Sequence, residues 1–106
     1  MGKEKDKLIR DLKDFKKRTQ EIAKIDKIYL FGSRAKDTWR DNSDVDLLVI
    51  SDDFKGKRFF KRSPKFYLIW DYPYDVDIIC LTNEEVNIKK RQLGVIKEAM
   101  DQAIEI

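Results

Sequence analysis

Three aspartates sit at the starts of apolar runs. Asp44 and Asp46 open DVDLLVI, and Asp77 opens DIICL. Carboxylates two positions apart on a strand leave the same face of the sheet, so Asp44 and Asp46 project together, and a third from another strand can join them. Such a cluster suits hard cations. Magnesium is held by one or two carboxylates together with phosphate oxygens and water, and two such ions about 3.5–4 Å apart can clamp the attacking and leaving oxygens of a displacement at phosphorus. Without a cation the cluster repels itself, because residues 37–53 carry six acids and one base, Arg40. With no histidine in the chain, His-based metal sites and Ser-His or Cys-His pairs are excluded. Acid-base work falls to carboxylates.

A place for the phosphate lies upstream. The apolar run Ile28 to Phe31 reads as a buried strand, and Gly32-Ser33 turns it into a short helix predicted over Ser33 to Arg40. A strand entering a helix through glycine leaves free N–H groups at the helix start, where the dipole favours an anion. Asp41-Asn42-Ser43 is a turn by composition, delivering the chain to strand two, Asp44 to Ile50. Asp44, Asp46, Leu48 and Ile50 share one face of that strand, and Val45, Leu47 and Val49 the other. Both faces are apolar beyond Asp46, which predicts helices on both sides.

The remaining elements frame this centre. Leu8, Leu12, Phe15 and Ile22 repeat at helical spacing over residues 4–24. The run KGKRFFKRSPK, residues 55–65, has six basic residues and no acids. Solvated loop is the usual reading of such a run, but the interleaved Phe59 and Phe60 also suit a partner-facing surface or stacking on bases. A partner-facing or phosphate-steering surface is the preferred function, and direct nucleic-acid binding is disfavoured. Ser63-Pro64 favours a helix start before Phe66 to Trp70, though that run could also be a strand. Strand three is predicted over Asp75 to Leu81, with Asp75, Asp77 and Ile79 on one face. Thr82 and Glu85 have the spacing of a capping box, and a last helical segment with Val95, Ile96, Met100 and Ala103 closes the chain.

At 106 residues and net charge +3, the chain is read as one domain, 1–106, of α/β (α+β) class: a small mixed sheet flanked by helices, in the order α-β-α-β-α-β-α. Cys80 reads as a core residue in a reducing compartment. The apolar runs are too short for a membrane span and the charged start is unlike a secretory signal. These features together predict a cytoplasmic protein.

Leu30-Phe31-Gly32-Ser33-Arg34-Ala35-Lys36, followed by Ser43-Asp44-Val45-Asp46-Leu47, resembles the signature of the DNA polymerase β-like nucleotidyltransferase superfamily, and within it the small minimal nucleotidyltransferase (MNT) proteins. The resemblance runs through the Asp77 strand. It implies a polymerase β-like fold, with Gly32 and Ser33 on the β- and γ-phosphates of ATP, assisted by Arg34 or Lys36. Asp44 and Asp46 would bind two Mg²⁺ ions, and Asp77 would complete the set and favour deprotonation of an acceptor hydroxyl. Asp75, on the same face, is the lesser candidate. The family commonly has glycine where Asp37 stands, which adds a negative charge near the phosphates.

Small MNT proteins are often paired with a HEPN toxin and modify one of its tyrosines. The resemblance therefore implies transfer of AMP from ATP to a tyrosine of a HEPN partner, as an antitoxin. Three other readings compete: a binding module that neutralises such a partner by complex formation alone, a small-molecule nucleotidyltransferase, and a plain α/β domain whose acids only solvate strand ends. Three clustered acids have no use in a pure binder, and drug-modifying relatives usually need a further domain.

Overall fold

The strands form where the β-branched and aliphatic runs lie. In the computed structural model, which describes residues 2–35, 44–92 and 100–106 without the side chains of Ser33, Arg34 and Gln92, β1 is Lys27–Phe31, β2 is Val45–Ile50, β3 is Val76–Leu81 and β4 is Ile104–Glu105. They make one mixed sheet in the order β3-β2-β1-β4. β1 is antiparallel to β2 and β4, while β2 and β3 are parallel. Parallel neighbours require a crossover. It is supplied by residues 51–75, which contain α2 (Phe59–Arg62) and α3 (Pro64–Ile69).

β1, β2 and β3 fall within a residue of the predicted bounds. β4 departs from expectation, because the closing segment was predicted helical throughout. Ile104 pairs with Leu30, and the Ile106 N–H donates to the Ile28 carbonyl at 2.8 Å. Two residues are too short a window for their alternation to show. Residues 93–99, with Val95 and Ile96, lie outside the described part.

The period-two reading of the faces holds. Val45, Leu47 and Val49 join Ile28, Leu30, Ile78 and Cys80 in the main core, under Leu8, Leu12 and Phe15 of α1 (Gly2–Thr19) and Phe66 of α3. Leu8, Leu12 and Phe15 are fully buried, worth about 1.5–3 kcal/mol each. Burial also pushes the Cys80 thiol up to about 12, so it is an unreactive core side chain at neutral pH. On the opposite face Leu48, Ile50 and Leu81 form a smaller cluster with Val86 of α4 (Asn83–Gln92). Helices thus cover both faces of β2, more fully on the first.

α1 was expected to reach residue 24 and stops at Thr19. The Thr19 hydroxyl donates back to the Lys16 carbonyl at 2.6 Å, and tight i to i−3 bonds follow at Gln20 and Glu21. The Gln20 amide then clasps Ile25, donating to its carbonyl and accepting from its N–H, both at 3.2 Å. The chain is reversed into β1 by that clasp.

The crossover does more than connect. β3 is an edge strand, and an exposed edge invites foreign strands. Here the Ile78 N–H donates to the Tyr67 hydroxyl at 2.8 Å, and Arg62 Nη1 donates to the Cys80 carbonyl at 3.2 Å. The basic run, whose usual reading is a solvated loop, therefore contains a helix, and one of its cations is buried. Ser63 precedes α3 and Pro64 is its first residue, as expected, although the serine side chain makes no capping bond.

Arg62 also binds Glu85 Oε1 at 2.6 Å. The same oxygen accepts the Thr82 N–H at 2.8 Å, while the Thr82 hydroxyl accepts the Glu85 N–H at 3.1 Å, completing the predicted capping box. The Arg62 bond, aided by Thr82, holds the Glu85 carboxyl below its ordinary value against a partial desolvation. A depressed folded value stabilises above the unfolded one and is lost as pH falls through the folded one. Glu85→Gln should accordingly cost about 1–2 kcal/mol at pH 7, and its Tm should fall less than wild type's between pH 5 and 3. Parallel acid profiles for the two proteins would contradict the assignment.

Candidate active site

The parallel register is what assembles the carboxylates. Asp46 of β2 lies opposite Asp77 of β3, and Phe31 lies opposite Asp46 on the other side. Val45 N–H donates to the Asp75 carbonyl at 2.8 Å, so the two acid-bearing strand starts are locked together from their first rung. The entry to β3 is tied to α1 as well. Tyr72 and Tyr74 donate to Asp14 and Asp11 at 2.6 and 2.9 Å.

Partial burial raises the Asp46 carboxyl above its ordinary value, and the negative charges of Asp77 and Asp44 add to the rise. Asp44 and Asp77 are thus each in electrostatic reach of Asp46. Asp44 and Asp77 are exposed, and Asp46 is half-buried between them. Asp75 is exposed and contributes its backbone to the strand pairing.

Gly32 stands at the end of β1 with φ +70°. A Cβ there would lie 2.5 Å from Asp46 Oδ2, so glycine is needed both for the left-handed backbone and for the close approach of the carboxylate. Residues Gly32–Ala35 form a single 3-10 turn. A left-handed residue followed by right-handed ones is the backbone pattern of an anion-binding nest. The predicted helix to Arg40 is described only as far as Ala35; Lys36 and Asp37 lie outside the described residues, as do the side chains of Ser33 and Arg34.

The residues present fit a magnesium ion by donor chemistry. Among the described residues no three His, Cys, Asp or Glu side chains are arranged to hold a metal on their own. Magnesium does not require such a cage, since phosphate oxygens and waters complete its octahedron around one or two carboxylates. A cluster of hard oxygens that repel one another is a donor set a divalent cation would stabilise.

One feature of the site was missed in the sequence. A groove of about 480 Å³ opens from Gly32 and Asp46 across the sheet face toward α4. Phe31, Leu48, Ile79 and Val86 wall it, and Phe59 and Lys89 stand at its rim. Ile79 is 47% exposed and Phe59 56%. The signal available beforehand was an apolar Ile79 sharing a face with Asp77, and Val86 and Lys89 at helical spacing.

Residues 12–105 match the family described as nucleotidyltransferase domain. Among curated proteins none matches the chain. Among solved structures, a Sulfolobus solfataricus protein proposed to be a nucleotidyltransferase superposes with a TM-score of 0.67 at 24% identity, over 79% of this chain and 75% of that one. That likeness concerns the fold.

Proposed function

We propose, for a chain that belongs to the nucleotidyltransferase domain family, that it transfers AMP from ATP to a hydroxyl, and that the acceptor is a tyrosine of a HEPN-type toxin which this modification silences. The observation that carries the transfer chemistry is the Asp46–Asp77 register beside the left-handed turn at Gly32.

Asp44, Asp46 and Asp77 would hold Mg²⁺, which when bound neutralises the triphosphate and polarises the reacting oxygens. Gly32 and the N–H groups after it receive the β- and γ-phosphates. Asp77, the exposed member of the in-register pair, favours loss of the hydroxyl proton. The oxygen then bonds the α-phosphorus, the bond to the β-phosphate oxygen breaks, and pyrophosphate leaves. Asp46 lies where a Cβ at Gly32 would meet it, which keeps its carboxylate beside the phosphate seat.

The partner assignment draws on the resemblance of the Gly32–Asp46 stretch to MNT proteins and on the exposed Phe60 and Leu68 beside Lys57, Lys61 and Lys65. A non-catalytic module that neutralises by complex formation would use the same surface, but it gives the in-register carboxylates nothing to do. Incubation with α-labelled ATP, Mg²⁺ and the HEPN-type partner distinguishes these readings. Label on the partner supports transfer, whereas a tight complex that never acquires label supports the binder.

Nucleotide binding has its own test. A ligand bound only by the folded state stabilises it by RT ln(1 + [L]/Kd), about 1.4 kcal/mol at ten times Kd, or roughly 6–11 °C for a domain of this size. Mg·ATP should produce that shift, and EDTA should remove most of it. An unchanged Tm at saturating nucleotide would sink the phosphate seat.

A further inference from the structure

We infer that the groove between the sheet face and α4 is the seat of the nucleobase, and that it holds the base by its faces while leaving the edges largely unread. The inference rests on the nucleotide reading of the site and adds what that reading leaves open, namely which residues grip the nucleoside and how selectively.

Continuity comes first. The groove shares Gly32 and Asp46 with the phosphate and carboxylate centre. A nucleotide whose phosphates lie at Gly32 and whose α-phosphorus lies at Asp46 must place its sugar beside that point and its base one ribose further on, and this groove is the concave surface that starts there. Its volume of about 480 Å³ falls in the range of small-molecule pockets, roughly 300–1,000 Å³, with room for a purine.

The wall chemistry selects the mode of binding. Phe31, Leu48, Ile79 and Val86 present no polar side-chain atom, and Lys89 is the one cationic donor in the described lining. Asp46 is its one carboxylate and is committed to the reaction centre. Flat aromatic rings gain from such walls, because every base has a π-face whatever its edges carry. Phe59 and Ile79 are left about half exposed, so both have surface to contribute when a base arrives. An apolar pocket rejects isosteres weakly, by about 10- to 100-fold, whereas one that hydrogen-bonds the edge reaches 10⁴ or more. Weak base discrimination is the functional consequence.

Phe59→Ala and Ile79→Ala test this, both at exposed positions whose truncation leaves the buried core intact. Calorimetric Kd values for ATP, GTP and tripolyphosphate in Mg²⁺ are the readout. Loss of a stacking partner weakens base binding by roughly 10-fold. Each variant should therefore raise the ATP and GTP Kd about tenfold and leave tripolyphosphate within twofold. Wild type should bind ATP and GTP within about tenfold of each other. An ATP Kd unchanged in both variants overturns the inference while the phosphate seat stands, and so does a raised KM for the acceptor alone, which would give the groove to the acceptor. Parallel weakening of ATP and tripolyphosphate also overturns it. Wild-type protein that binds neither ligand removes the nucleotide reading together with this one.

Discussion

Asp77→Asn and Asp46→Asn should each lower AMP transfer by about 10³-fold or more without unfolding the protein. Each loss removes a carboxylate whose cation would stabilise transition-state charge by several kcal/mol, and about 4 kcal/mol corresponds to three decades of rate. The fold should tolerate both changes, because neither side chain belongs to either core cluster. Asp46→Asn should in fact raise Tm in the absence of metal. The Asp46 carboxyl is lifted by burial and by Asp77 and Asp44, so in the folded protein its charge is disfavoured and neutralising it relieves strain. Like charges directly opposite on neighbouring strands cost up to about 1 kcal/mol, which sets a gain of a few degrees. Label transfer to the partner and thermal melts in EDTA check the two halves separately. Variants that keep wild-type transfer would remove these residues from the reaction, and an Asp46→Asn protein that melts lower would deny the repulsion.

How much of this could be read from the chain depends on how local each cause is. β1 and β2 were legible because alternation and apolar runs are properties of five or six consecutive residues. The capping box was legible for the same reason, as Thr82 and Glu85 are three apart and bond as that spacing requires. Asp77 could be singled out as an acid at the start of an apolar run. Its pairing with Asp46, in contrast, follows from the parallel register of two strands separated by the whole crossover. No local pattern states that register.

The same distinction explains Arg62. In sequence it is one of six basic residues in a run that looks solvated. In the fold it is buried against Glu85, Lys57 and Cys80, because an edge strand needed its carbonyl covered and a helix start needed its carboxylate paired. The end of α1 was hidden likewise, since Ile22 keeps helical spacing while the Gln20 clasp on Ile25 ends the helix before it. The groove draws on β1, the turn at Gly32, β2, β3, α2, α4 and Met100 at once. A surface assembled from so many separate stretches has no signature in any of them.

Gly32→Ala carries the other large effect, and its two costs should separate. The left-handed backbone, φ +70°, penalises any residue with a Cβ by about 1–2 kcal/mol, or roughly 4–16 °C in Tm. The steric cost is of another kind. The new methyl would meet Asp46 Oδ2 at 2.5 Å, and since that oxygen ends a side chain, the conflict is relieved when the carboxylate swings away. Stability suffers little from the swing, but the reaction centre suffers greatly. A displacement of about 1 Å in a catalytic group costs on the order of 10²-fold in rate, so transfer should fall at least that far at temperatures where the variant is fully folded. Tripolyphosphate binding should weaken too, because the turn that offers its N–H groups is the one being strained. Gly56 provides the control. It also has a positive φ, +79°, but nothing lies within 4 Å of the position a Cβ would take, so Gly56→Ala should show a similar backbone cost and near-normal transfer. If the two variants lose activity equally, the close approach of Gly32 to Asp46 is not what makes that glycine matter.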